Sequence, residues 1–127
     1  MKYTGPERRK YIRVNLSLQV SYVVVETPQE ERESFTKDIS GGGIRMPLEE
    51  KLLSGTLLKL KLELLKEMKT LEIDARVVWI KPSFDNKDYP YEVGIEFINI
   101  DITQRTMISN CVQYLDREAL LEEFFHE

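Results

Sequence analysis

Four basic residues lie close together near the start of the chain, in the run Arg8-Arg9-Lys10-Tyr11-Ile12-Arg13. Arg9 and Arg13 are four positions apart, where an N-terminal segment meets the first predicted strand. Arginine presents a planar fork of N–H donors that matches a phosphate group or the O6/N7 edge of guanine, and lysine cannot copy that geometry. Alone, this spacing is weak evidence, because a solvated basic terminus explains the same residues.

A second candidate element is the run Asp38-Ile39-Ser40-Gly41-Gly42-Gly43. Asp38 and Ser40 are two positions apart on a predicted strand, so their side chains point to the same face. The carboxylate can accept hydrogen bonds from guanine or hold an arginine, and the hydroxyl can meet a phosphate. We expect the glycines to allow a positive φ and a close approach of a ligand to the backbone. Taken alone, the run is better explained as a strand that ends in a bulge or turn.

Three further residues could contact the same ligand. Gly42 lies inside the glycine run, and Arg45 follows it on the next extended segment, where an ordinary surface charge is an equal explanation. Trp79 could stack on a base. A place in the core, or against the C-terminal helix, is the more ordinary position for a tryptophan.

The residue patterns of enzymes and metal sites are largely missing from the sequence. The one histidine, His126, is one residue from the end, where chains fray, and Ser40 has no histidine in a readable motif. The three glycines form neither a Walker loop nor a GxGxxG turn. One histidine and one cysteine, Cys111, cannot make a zinc cluster of those residues. We therefore expect neither an enzyme nor a metal site.

The size and composition of the chain indicate one folded domain. Its 127 residues are enough for a core without disulfides, and 42% hydrophobic with 31% charged residues argues against disorder. No apolar run approaches roughly 18 residues, so we expect no membrane span. The first residues lack the apolar stretch of a secretion signal, and a single cysteine excludes an internal disulfide. We expect a cytoplasmic protein.

The net charge of −4 argues against general binding to nucleic acid. The charge is unevenly distributed, because residues 1–15 contain five basic and one acidic side chain while the rest of the chain has a balance of −8. A small cationic patch on an acidic body indicates a small anionic partner rather than a long polyanion.

Alternating apolar residues predict a series of antiparallel strands, followed by a helix over about 102–124 that begins with a capping box at Asp101 and Gln104. The predicted strands are 12–25, 34–39, 44–46, 58–64, 71–80 and 91–98. We interpret residues 26–33 as an exposed hairpin loop and 81–90 as another loop. Short strands with regular turns predict a closed or nearly closed barrel, one face of which the helix covers. We expect residues 1–8 to be a flexible segment and 9–127 a single domain.

In this order, RxxxR at Arg9 and Arg13 and DxSxxG at Asp38, Ser40 and Gly43 resemble the two signature motifs of the PilZ family. The segments 76–79 and 92–97 are similar to the family's last two strands, the second with its G-x-x-F pattern. The resemblance covers roughly residues 6–116. It implies an all-β fold with a C-terminal helix, in the form of a six-stranded antiparallel split barrel.

The resemblance also implies binding of cyclic di-GMP, a bacterial second messenger. In the family, the arginines of RxxxR contact phosphate and guanine, the Asp and Ser complete these contacts, and the Gly leaves room for the ligand. By position, these roles fall to Arg9, Arg13, Asp38, Ser40 and Gly43. An arginine just before RxxxR, here Arg8, tends to accompany an intercalated pair of ligand molecules, so we predict that mode. A third arginine helps to offset the four phosphate charges of such a pair.

The resulting hypothesis is a receptor in which cyclic di-GMP orders the arginine segment over the barrel. This would alter contact with a partner protein that controls motility, adhesion or polysaccharide export. One alternative is a PilZ-like interaction module that does not depend on the nucleotide, against which the intact motifs count. Another is a binder of single-stranded nucleic acid, against which the acidic body counts.

Phe124 and Phe125 could cover the barrel mouth or contact a second copy, so a homodimer through the C-terminal helix is possible.

Overall fold

The computed structural model describes the backbone of residues 13–64 and 69–125. It describes the side chains of residues 13–64 and 70–113. The elements are β1 (Gln19–Val24), β2 (Thr27–Phe35), β3 (Asp38–Ile39), β4 (Gly43–Leu48), β5 (Leu57–Leu64), β6 (Lys69–Pro82), β7 (Tyr91–Ile98) and α1 (Ile102–Phe125). The fold is therefore mostly antiparallel β-sheet with a single C-terminal helix, as the sequence predicts. No helix in the described part of the chain is long and apolar enough to span a membrane.

The seven strands form one antiparallel sheet in the order β2-β1-β5-β6-β7-β4-β3. The sheet curls so that its two ends approach each other. Ser34 of β2 donates to the Pro47 carbonyl of β4 at 2.6 Å, and Val14 exchanges two 3.0 Å backbone hydrogen bonds with Ile39 of β3. These contacts bring the ends together without closing the ladder into a barrel.

The strand count differs from the six that we expected, because the predicted strand 34–39 is divided into two. The chain leaves β2 at Thr36, whose backbone N–H donates to the Leu18 carbonyl at 2.9 Å. The Thr36 hydroxyl accepts from the Leu18 N–H at 2.8 Å and donates to the Leu16 carbonyl. This threonine therefore ties the turn to the segment before β1, and a separate strand, β3, begins after it.

The predicted bounds of the first hairpin are also wrong. The β1 ladder begins at Gln19 rather than residue 12, because the preceding segment bonds to Thr36 and, through an isolated bridge, to Ile39 of β3, and not to β2 or β5. The predicted loop 26–33 lies almost entirely in β2, since Val24 pairs with Thr27 across a two-residue turn. Most β2 side chains are exposed, so backbone hydrogen bonds, and not burial, hold this edge strand.

Alternating residues of β5, β6 and β7 supply most of the core, as their sequence pattern predicts. The buried members are Leu58, Leu60, Leu62 and Leu64 of β5, Leu71, Ile73, Ala75 and Val77 of β6, and Val93, Ile95 and Phe97 of β7. Full burial of such a side chain contributes about 1.5–3 kcal/mol. The opposite face of β7 is thereby left for polar residues and for the site.

The helix α1 packs on this core through Ile108, Cys111 and Val112. The predicted capping box is present, because the Gln104 N–H donates to Asp101 Oδ1 at 2.7 Å and the Asp101 N–H donates to Gln104 Oε1 at 3.3 Å. The expected roles of Phe124, Phe125 and a helix-mediated homodimer fall on side chains outside those described, and stay predictions.

Candidate functional site

One row of paired residues crosses four strands on the polar face of the sheet. Asp38 of β3 pairs with Arg45 of β4, Arg45 pairs with Gly94 of β7, and Gly94 pairs with Trp79 of β6. Residues paired in this way project to the same face of a sheet. Gly94 thus lies between Arg45 and Trp79, about one strand spacing from the backbone of each, and its missing side chain leaves the space above it to these two neighbours.

A cavity of about 250 Å³ occupies this part of the surface. The predicted site residues that line it are Arg13, Asp38, Ser40, Gly42, Gly43, Arg45 and Trp79. Ile44, Val78, Gly94, Ile95 and Glu96 complete the lining. The structure thus places every predicted site residue that it describes in a single cavity, whereas Arg8 and Arg9 lie outside the described residues.

Asp38 is the buried carboxylate of this cavity, with 4% of its surface exposed. Its Oδ2 accepts a 2.8 Å hydrogen bond from Arg45 Nε, and Arg13 Nε lies 3.8 Å from its Oδ1. A buried carboxylate requires a cation partner, since an uncompensated charge of this kind is strongly destabilising. Asp38 therefore joins Arg13, from the RxxxR spacing, to Arg45, which belongs to neither motif.

Arg45 also contacts a second buried carboxylate, Glu92 of β7. Arg45 Nη1 lies 3.2 and 3.3 Å from the two Glu92 oxygens, and Lys37 Nζ lies 2.9 Å from Oε2. Burial raises the pKa of Glu92, but the hydrogen bond from Lys37 and the charge of Arg45 outweigh burial and lower it below 4.5. Burial likewise lowers the pKa of Arg45, but its bond to Asp38 and the charge of that carboxylate raise it overall. Both residues therefore stay charged near neutral pH.

The Ser40–Gly43 turn is held by an internal hydrogen bond and by hydrogen bonds to β7 and α1. Ser40 N–H donates to the Gly43 carbonyl at 2.9 Å, and Phe97 N–H of β7 donates to the Gly42 carbonyl at 2.9 Å. Arg105 Nε of α1 donates to the Gly41 carbonyl at 3.3 Å. The Ser40 hydroxyl oxygen accepts from Gly42 N–H at 3.1 Å, and its own proton can still be donated to a ligand oxygen.

Gly43 is required by the packing of the sheet and not by a left-handed conformation. A Cβ at this position would lie 2.0 Å from the Ile95 carbonyl oxygen of β7. Among the glycines of the described residues, only Gly55 has a positive φ. The glycine run therefore does not use the positive φ that we expected it to allow, and the direct effect of Gly43 is close contact between β4 and β7.

Trp79 lies on the wall of the cavity with 37% of its surface exposed, rather than in the core. Strict alternation from the buried Val77 would turn Trp79 inward, but a β-bulge between them shifts the register and turns it outward. A Cβ at Gly94 would lie 2.3 Å from Trp79 Cε2 and Nε1, so the indole covers Gly94. Lys81 Nζ is 5.4 Å from the ring centroid, which is within the range of a cation–π contact.

The PilZ domain model matches residues 7–114, which is most of the chain and includes both motifs. This chain belongs to the PilZ domain family. No curated protein sequence matches it significantly.

Several solved structures are similar to this one. The inhibitor of motility from Bacillus subtilis (MotI/DgrA) is 27% identical, with a TM-score of 0.71 over 92% of this chain and 53% of its own. The PilZ domain of YcgR from Escherichia coli with c-di-GMP is 18% identical, with a TM-score of 0.73 over 94% and 99%. The MrkH–c-di-GMP complex from K. pneumonia is 19% identical, with a TM-score of 0.69 over 92% and 56%. This chain spans about half of the MotI and MrkH chains, and the likenesses below 25% identity show the fold alone.

Several lining residues were not predicted as site residues from the sequence, Gly94 among them, and neither was Glu92, which contacts Arg45 from outside the cavity. Gly94 enters the sequence analysis only as part of the G-x-x-F pattern, yet it lines the cavity, and its missing side chain leaves room for the Trp79 indole. Glu92 alternates with the core residues of β7, and a charged residue in such a position usually faces solvent. Its burial depends on Lys37, Arg45 and Lys81, which are distant in sequence, so no local pattern could show it.

Proposed function

We propose that this PilZ domain is a receptor for cyclic di-GMP and that the cavity between Arg45 and Trp79 is where the nucleotide binds. The observation that supports this most directly is the meeting of both motifs in one cavity, with Arg13 from the first and Asp38 and Ser40 from the second. Similar PilZ structures have been solved with c-di-GMP, namely those of YcgR and MrkH.

The described residues can supply the base and phosphate contacts. Asp38 Oδ2 is engaged by Arg45, whereas Oδ1 is 3.8 Å from Arg13, outside hydrogen-bond distance, and can accept from guanine N1–H and N2–H₂. Arg13 is half-exposed and can donate to phosphate or to the guanine O6/N7 edge. Ser40 can donate its hydroxyl proton to a phosphate oxygen. Trp79 offers an aromatic surface on which a base can stack.

The size and charge of the cavity indicate that further residues take part. Its volume of about 250 Å³ is below the roughly 300–1,000 Å³ of pockets that enclose a drug-sized ligand, so it fits one base better than a whole dinucleotide. Its described charges balance, with Arg13 and Arg45 against Asp38 and Glu96. The two phosphates of each ligand molecule therefore need additional cations. Arg8 and Arg9, close before Arg13 in sequence, are the candidates.

We propose the adaptor mechanism that the sequence suggested. Binding orders the arginine segment over the cavity, and the altered surface changes contact with a protein partner. A ligand shifts an equilibrium between two conformations only by the difference between its affinities for them. Here we propose that Arg8 and Arg9 contact the ligand only when the arginine segment is ordered over the cavity, and that these contacts provide the difference. We further propose that Arg8 supports an intercalated pair of cyclic di-GMP molecules.

Isothermal titration calorimetry of the full chain tests the receptor function, with cyclic di-AMP and GTP as controls. We expect saturable binding of cyclic di-GMP at a ratio near two, little dependence on added salt compared with nucleic-acid binding, and no binding of the controls. Binding at a ratio near one would support the receptor function but contradict the proposal that an intercalated pair of ligand molecules binds. Absence of both heat and a thermal shift would contradict the proposal and favour the nucleotide-independent interaction module.

A further inference from the structure

Glu92 is a buried carboxylate surrounded by cations from three strands or turns. Arg45 comes from β4, Lys37 from the turn before β3, and Lys81, whose Nζ lies 3.5 Å from Oε1, comes from the β6 position paired with Glu92. With 4% of its surface exposed, Glu92 is as buried as Asp38. It does not line the cavity described above, which Arg45 does.

The Arg45 guanidinium joins the two buried carboxylates. Its Nε donates to Asp38 Oδ2 at 2.8 Å, while its Nη1 donates to the Glu92 oxygens at 3.2 and 3.3 Å. A guanidinium is planar and rigid, so holding two of its nitrogens fixes its orientation. The position of Glu92 therefore determines the direction from which Arg45 meets Asp38, and leaves Oδ1 of Asp38 directed to Arg13.

We infer that Glu92 is a positioning residue of the nucleotide site, which acts through Arg45 to set the orientation of the Asp38 carboxylate. This inference rests on the proposed function, because it assigns Asp38 the guanine contact. Without the Glu92 charge, Arg45 would turn more freely about its bond to Asp38, and the carboxylate would lose its fixed orientation. The ligand would then bear the entropic cost of ordering both side chains.

The main alternative is that Glu92 only neutralises Lys37 and Lys81 and stabilises the fold. The Glu92→Gln variant keeps the size of the side chain and removes its charge, and Lys37→Gln is a matched control, since Lys37 contacts Glu92 and not Asp38. A purely structural role would make the two variants alike. A positioning role would make Glu92→Gln the more damaging to the Arg45–Asp38 contact.

The first measurement is made without nucleotide. Exchange of the Arg45 Nε–H proton with water is followed by NMR in wild type, Glu92→Gln and Lys37→Gln. We expect exchange to be about tenfold faster in Glu92→Gln, in line with loss of a charge-assisted contact, and close to wild type in Lys37→Gln. Unchanged exchange in Glu92→Gln, or equal acceleration in both variants, would overturn the inference.

The second measurement is a double-mutant cycle on cyclic di-GMP affinity with Glu92→Gln and Arg45→Gln, with circular dichroism to show that each variant is folded. We expect Glu92→Gln to weaken binding about tenfold alone and to have no further effect in the Arg45→Gln background. Additive losses would overturn the inference. If wild type does not bind, the proposed function fails, and the exchange measurement still decides whether Glu92 positions Arg45.

Discussion

Arg45 and Trp79 are the two cross-strand neighbours of Gly94, one on β4 and the other on β6. The indole lies over Gly94, and the guanidinium is held by Asp38 and Glu92. A flat aromatic surface and a fixed carboxylate thus face the same cavity, which is the combination that a guanine base requires for stacking and for hydrogen bonds to its edge.

Removal of either motif arginine should weaken binding of cyclic di-GMP. A charge-assisted hydrogen bond contributes about 1.5–3 kcal/mol, so Arg9→Ala or Arg13→Ala should lower affinity about ten- to a hundred-fold or more. Calorimetry checks this, with Arg32→Ala as the control, because Arg32 pairs with Glu50 and does not line the cavity. Wild-type affinity in both motif variants would show that the site is assigned wrongly.

The ratio of ligand to protein should depend on Arg8. If this arginine supports a second ligand molecule, Arg8→Ala should lower the calorimetric ratio from near two to near one, while binding itself persists. Sedimentation of the protein with and without nucleotide provides the control for dimer formation, which would also alter the ratio. A ratio of two retained in Arg8→Ala would contradict the assigned role.

Gly43→Ala and Gly94→Ala should have different effects, although both replace a glycine next to the cavity. The new Cβ at Gly43 meets the backbone carbonyl of Ile95, so the strands must separate, at a cost of about 1–3 kcal/mol in the free energy of unfolding. The three atoms nearest to a new Cβ at Gly94 all belong to the Trp79 ring, which is partly exposed and can move. We expect Gly94→Ala to lose less stability but about tenfold in affinity, from displaced stacking. Denaturant unfolding and calorimetry of both variants test these expectations. Wild-type affinity in Gly94→Ala would show that Trp79 does not stack on the ligand.

Acidification should reduce the stability that Glu92 supplies. Its pKa is lowered in the folded chain, so this stability is fully present above the unfolded value near 4.5 and is lost as pH falls through the lower folded value. We expect Glu92→Gln to be less stable than wild type at pH 7 by about 1–3 kcal/mol, and this difference to shrink toward pH 3. Urea unfolding between pH 7 and pH 3 measures the difference in stability between Glu92→Gln and wild type. A difference that does not change with pH would contradict the ionised state assigned to Glu92.

Asp74→Asn is the control for this measurement, because it breaks an exposed pair with Lys59. It should cost below about 1 kcal/mol throughout the pH range.

The sequence predicted the strands whose two faces differ in environment. β5 alternates between buried leucines and exposed polar residues, so its period of two is visible without the structure. β2 could not be found in this way, because both of its faces are largely exposed at the edge of the sheet and its sequence resembles a charged loop. The division at Thr36 depends on hydrogen bonds to Leu16 and Leu18, which no local pattern encodes.

The site was predictable to the extent that its residues lie in the two motifs. Asp38 and Ser40 were expected on one face, and both line the cavity with Arg13. Trp79 was harder to place, because the bulge after Val77 reverses the face that alternation predicts. Glu92 could not be found, since the cations that make its burial tolerable come from β4, β6 and the turn before β3.

Trp79 is the only tryptophan in the chain, so its fluorescence reports on the proposed site directly. The measurement that tests the central claim is a titration of the full chain with cyclic di-GMP, in which Trp79 emission and calorimetric heat are recorded on the same sample. We predict a saturable change in emission with the same midpoint as the heat, absent with cyclic di-AMP and weakened in Arg13→Ala. Binding heat without any change in Trp79 emission would place the nucleotide elsewhere and contradict the assignment of this cavity.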